Sequence, residues 1–119
     1  MIPLFKVFMP DEVSIGIADI LNSGQLAYGT HTKNFETKLR EYVGNENILA
    51  ISGNSVLFAL RLIGIKAEDE VIVSPMSCLM TTQPIAVVGA KVVWADIDPM
   101  TGSLDPEDVK KKITSKTKA

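Results

Sequence analysis

The stretch Ser52-Gly53-Asn54-Ser55 stands where a short β-branched run, residues 48–51, hands over to a long apolar run, residues 56–63. A glycine at such a junction admits a ligand to the backbone. Asn54 and Ser55 add polar side chains beside free helix N–H groups, and the helix dipole favours an anion there. That chemistry suits a phosphate, although an ordinary strand-to-helix turn with a polar cap has the same composition. No Lys-Ser or Lys-Thr follows as in a Walker loop, and the three-glycine dinucleotide spacing is absent.

Three further groups could do chemistry. Cys78 follows the β-rich run at residues 71–73, and ligands bind open α/β sheets at such strand ends. A nucleophilic thiol needs a base, however, and His31, the single histidine, lies in an earlier loop, so packing is the simpler role for Cys78. Asp96 and Asp98 could orient a ligand group, or "DIDP" could be a plain turn. Tyr28 and Gly29 lie in a glycine-bearing loop ahead of an amphipathic segment, which fits a lid or a linker.

The elements that must position these residues follow from spacing. Pro10, Asp11 and Glu12 suit a helix start, with Val13, Ile17, Ile20 and Leu21 on one face and Gly24 as the stop. Thr32 can cap a second helix carrying Phe35, Leu39, Tyr42 and Val43 as its stripe, ended by Gly44, with Glu36 and Arg40 as an ion pair on its wet face. Residues 48–51, 71–73 and 91–94 read as strands about twenty residues apart, with helical segments between them, which is βαβ spacing. These strands lack in-out alternation, which predicts a sheet covered on both faces. Residues 55–65 are apolar nearly all round, as in a helix pressed between layers. Residues 76–90 predict a helix shortened or kinked by Pro84, and Asp105 with Pro106 opens a last helix.

Composition narrows the function. The chain has 119 residues, 46% of them hydrophobic, and a net charge of -2, giving no basic field for a nucleic acid. A single cysteine excludes an internal disulfide and suits a reducing, cytoplasmic setting. One Cys and one His offer no metal spacing, and no apolar run reaches membrane-spanning length.

Taken in order, "IPLFKVFMPDE", "ILNSGQLAYGTHTKNFETKLREYVG", "SGNSVLFAL", "EDEVIVSPMSCLMTTQPI", "GAKVVWADIDP" and "LDPEDVKKKITSKTKA" resemble the opening third of the DegT/DnrJ/EryC1/StrS sugar aminotransferases. The resemblance implies an α/β fold, the N-terminal part of a fold-type I transferase that uses pyridoxal 5′-phosphate (PLP), three-layered with a mostly parallel sheet. Residues 1–46 would be an N-terminal helical segment and residues 47–119 the incomplete start of the PLP-binding domain. By position Gly53, Asn54 and Ser55 would hold the PLP phosphate, with Asn54 replacing the usual Thr and Ser52 a candidate if the register shifts by one. Cys78 stands where the family commonly stacks an aromatic residue on the PLP ring, and Thr81 and Gln83 follow in the same pocket. Tyr28 and Gly29 would border the sugar-nucleotide site.

The resemblance further implies amino transfer, from glutamate, to a nucleotide-linked keto-sugar in polysaccharide biosynthesis, by a cytoplasmic homodimer with no nucleic-acid or membrane partner. The family's Schiff-base lysine lies beyond Ala119, no lysine here matches it, and none of these residues is catalytic. A 119-residue fragment would thus be inactive alone, its first strand lacking neighbours and its apolar helix uncovered. A PLP-dependent sugar dehydratase, with histidine for that lysine, is the alternative within the family. Outside it stand a truncated, non-catalytic relative or sensor retaining a partial pocket, and a doubly wound binding module unrelated to PLP.

Overall fold

The computed structural model describes residues 2–3 and 5–119 and contains two compact units, Met1–Ala50 and Ile51–Ala119. The first holds α1 (Glu12–Ser23) and α2 (Thr30–Val43). Both helices end at the expected glycines, Gly24 and Gly44, whose left-handed backbone lets the closing N–H turn back to Leu21 and Arg40 respectively. Gly29 rather than Thr32 is the N-cap of α2, so the helix starts three residues earlier than the capping signal predicts and takes His31 out of the loop. No residue of α1 is buried, and Phe35, Tyr42 and Val43 of α2 are exposed.

The one fully buried side chain of α2 is Glu36, 2% exposed, which overturns its assignment to the wet face. Its Oε1 accepts from the Ala50 amide at 2.8 Å and its Oε2 from the Tyr28 hydroxyl at 2.8 Å, with Arg40 at 3.4 Å. Arg40 also donates to the Ile48 carbonyl at 2.7 Å. Residues 48–51, expected as a strand, are irregular and are held by these side chains. A strand needs a laddered neighbour, and among the described residues none pairs with this segment.

The second unit is built as α3 (Ser55–Leu62), β1 (Glu70–Val73), α4 (Leu79–Val87), β2 (Lys91–Trp94) and α5 (Pro106–Lys112). β1 and β2 are parallel, with Val71 opposite Val92 and Val73 opposite Trp94. On its other edge β1 receives the C-terminal segment, through a parallel bridge of Glu70 to Thr117 and the Ile72 amide bonded to the Ala119 carbonyl at 2.8 Å. β1 is therefore an interior strand, and its buried Glu70, Val71 and Val73 match the expectation of two covered faces. β2 is only half covered. Leu60, Ile65, Val71, Val73, Ile85 and Ala90 form the core, with Val56, Val88 and Val92 against it. α3 stops at Leu62, before the expected residue 65, and buries only Leu60, leaving Phe58 and Leu62 uncovered. α5 opens as expected on Asp105, whose Oδ1 accepts from the Glu107 amide at 2.9 Å.

Among the described residues, no helix is long and apolar enough to cross a membrane, and no cluster of His, Cys, Asp or Glu could hold a metal ion.

Candidate active site

Residues 51–55 form the turn into α3. Gly53 has φ +114°, a backbone region that a side chain strains, and a Cβ built on it would meet nothing within 4 Å. The turn thus faces open space with no side chain over Gly53. Asn54 caps α3, its Oδ1 accepting from the Leu57 amide at 3.1 Å, while the Ser55 amide folds back to the Gly53 carbonyl. The amides of Gly53, Asn54 and Val56 and the Ser55 hydroxyl have no partner among the described residues. Uncapped donors at a helix start, at a glycine open to approach, form a donor set for an anion.

Cys78 is the N-cap residue of α4, with its thiol free and exposed. Its carbonyl accepts from the Thr81 amide at 2.8 Å, and its side chain makes no cap bond. α4 continues through Pro84, which lacks the N–H that would reach the Met80 carbonyl. That carbonyl accepts instead from Asn54 Nδ2, at 3.2 Å. The structure therefore brings the first turns of α3 and α4, and with them Asn54 and the Cys78 end of α4, within one hydrogen bond of each other. Thr81 and Gln83 are exposed on α4, and Ser52 is exposed beside Gly53.

Tyr28 and Gly29 belong to the other unit. Gly29 lines a cavity of about 480 Å³ with Gln25, Leu26, Thr30 and His31, whereas the Tyr28 hydroxyl is turned to Glu36. The Ala50 amide, then the Tyr28 hydroxyl and the Arg40 charge, hold the Glu36 carboxyl below its ordinary range, and the same carboxylate pushes the Tyr28 phenol up. Sequence reasoning missed Glu36. The signal was its period: three before Leu39 and seven before Val43, it lies on the stripe and not opposite it. Asp96 and Asp98 settle as a turn, since Asp98 Oδ1 accepts from the Met100 amide and Asp96 Oδ1 from Ile97. Asp108 accepts from the Asp96 amide at 2.7 Å, which, with Lys112 nearby, keeps its carboxyl below the usual range.

The α/β unit with its parallel sheet has the fold of the N-terminal part of a fold-type I, PLP-dependent transferase. Residues 11–119 match the DegT/DnrJ/EryC1/StrS aminotransferase family, and the chain belongs to it. It is 33% identical over 111 residues to the UDP-2-acetamido-2-deoxy-3-oxo-D-glucuronate aminotransferase of Pseudomonas aeruginosa, covering 92% of this chain and 31% of that protein. Among solved structures, the aminotransferase TlmJ of Streptoalloteichus hindustanus superposes with a TM-score of 0.89 at 28% identity, over 99% of this chain and 33% of that one. Spr1654 of Streptococcus pneumoniae, a putative sugar aminotransferase in its PLP form, gives 0.85 at 28% identity, over 98% and 30%. The E. coli GDP-4-keto-6-deoxy-D-mannose-3-dehydratase with bound hydrated PLP gives 0.81 at 28% identity, over 98% and 32%. The chain spans about a third of the length of each of these proteins. The family depends on PLP.

Proposed function

We propose that this chain supplies the cofactor-phosphate anchor of a PLP-dependent aminotransferase acting on a nucleotide-linked keto-sugar, with glutamate as amino donor. The observation that carries the reading is the turn at residues 53–56, whose free amides and Ser55 hydroxyl stand at a helix start. Their number and polarity fit a dianionic phosphate. Gly53 supplies the approach, the amides of Gly53, Asn54 and Val56 the donors, and Ser55 a hydroxyl. Cys78, one turn-to-turn hydrogen bond away on α4, would border the ring, with a soft sulfur contact in place of an aromatic face. Tyr28 and Gly29 would border the sugar nucleotide. Bound PLP would act as the electron sink for amino transfer, and this chain's residues would hold and orient it.

The chain carries no residue assigned to proton transfer, so the 119 residues by themselves would be inactive. The whole protein would work as a homodimer in the cytoplasm. Titration of the full-length protein with PLP tests the reading: a new absorbance band and saturable binding are expected. Absence of both at excess cofactor overturns it. The likeness to a solved dehydratase supports a second reading, a PLP-dependent sugar dehydratase. The two separate by product: amination leaves the donor's nitrogen on the sugar in place of the ketone oxygen, and dehydration removes the elements of water and adds no nitrogen to the sugar.

A further inference from the structure

We propose that Asn54 is a positioning residue, whose carboxamide staples the first turn of α3 to the carbonyl that Pro84 leaves free on α4. It thereby sets the distance between the phosphate turn and Cys78. This rests on the reading of residues 53–56 as the phosphate anchor.

Each end of the carboxamide has a single allowed partner. The Leu57 amide can only donate, so it requires Oδ1, at 3.1 Å. The Met80 carbonyl can only accept, so it requires Nδ2, at 3.2 Å. The amide plane is fixed by both. The carbonyl is available because α4 continues past Pro84, which has no N–H to offer four residues back. Pro84 is among the most deeply buried side chains of the chain, so the helix cannot shed it to solvent. Serine would cap α3 about as well as asparagine and threonine somewhat less well, and both are too short to reach α4. Aspartate would also cap α3, but would set an oxygen against the Met80 carbonyl. Among the side chains that cap helices well, only asparagine satisfies both ends.

The test is a double-mutant cycle in the full-length protein: wild type, Asn54→Ser, Pro84→Ala and the pair. Thermal unfolding without PLP and the Kd for PLP by absorbance titration are the readouts. Pro84→Ala gives the Met80 carbonyl its own helical donor and weakens the staple in advance, so Asn54→Ser has less to remove in that background. Loss of one such bond predicts about a fivefold weaker PLP affinity and a lower Tm for Asn54→Ser in the wild-type background. Both effects shrink with Pro84→Ala. Equal PLP losses in the two backgrounds would mean that the Asn54 side chain contacts the phosphate directly, and no loss in either that it is only a cap; both overturn the proposal. Should Pro84→Ala not fold, Asn54→Asp is decisive, since the staple requires a Tm below that of Asn54→Ser, and an equal or higher Tm refutes it. If the wild type binds no PLP, the anchor reading fails, while the unfolding cycle still decides whether the staple exists.

Discussion

Glu36 shows how a single carboxylate can organise a stretch of chain with no regular structure. It accepts from Tyr28, Ala50 and Arg40, while Arg40 ties down the Ile48 carbonyl, so the backbone at residues 48–50 is fixed by side chains from one helix. Glu36→Ala leaves the Ala50 amide and the Arg40 charge without their acceptor and is expected to lower Tm more than Glu36→Gln, which keeps the shape; differential scanning of both variants checks the order. The linkage has a definite sign. The folded-state value of Glu36 lies below its ordinary 4.5, so its contribution is complete above about pH 4.5 and is lost as pH falls through the lowered value. The Tm gap between wild type and Glu36→Gln should therefore close in acid, and a gap that persists unchanged there would refute the linkage. Tyr28 runs the other way: its value is raised above 10.0, so its bond holds below pH 10.0 and is lost as pH climbs through the raised value. In an ultraviolet phenolate titration, Tyr28→Phe should abolish a step that lies above 10.0.

The elements differ in how strictly they depend on single positions. Gly53→Ala adds a methyl to open space, so any cost arises from φ +114° and not from collision, about 1–2 kcal/mol. It should also weaken PLP binding in the full-length protein, because relief of strain moves the amides of the turn. Unchanged Tm together with unchanged PLP affinity would show that the turn does not need glycine. Ile85, 2% exposed on the buried face of α4, is the core's largest single contribution from that helix, and Ile85→Ala should cost about 2–5 kcal/mol in chemical denaturation. Helix positions and the strands at residues 71–73 and 91–94 were legible because period and turn chemistry are local. Residues 48–51 read as a strand for the same local reason and are not one, since pairing is a property of the neighbour. The Thr32 cap failed because Gly29, extended at φ -154°, starts the helix first. In the site, the turn at Gly53, Asn54 and Ser55 was visible as a composition. The second bond of Asn54 was not, although a proline inside a helix always leaves a carbonyl in search of a donor.

At the scale of the molecule, many large apolar side chains stand open to water. α3 exposes Phe58 and Leu62, Trp94 is 48% exposed at the end of β2, and Ile72, Leu104, Val109, Ile113 and Ala119 line an open groove of about 430 Å³. Among the described residues the sheet consists of two strands and the short C-terminal pairing, and two strands alone are marginal in water. Contiguous apolar patches of several hundred Å² on a soluble chain mark surfaces that other chain segments or partners cover. The related proteins are each about three times as long as this chain and carry further segments outside the matched region. The 119 residues expressed alone should therefore associate at micromolar concentration and bind a hydrophobic dye. Full-length protein should do neither beyond a defined oligomer. Light scattering and dye fluorescence on both chains decide it: a short chain that stays monomeric, unfolds in one cooperative step and leaves the dye dark would show that these faces are stable in water, and that the α3 surface is not an internal layer of a larger fold.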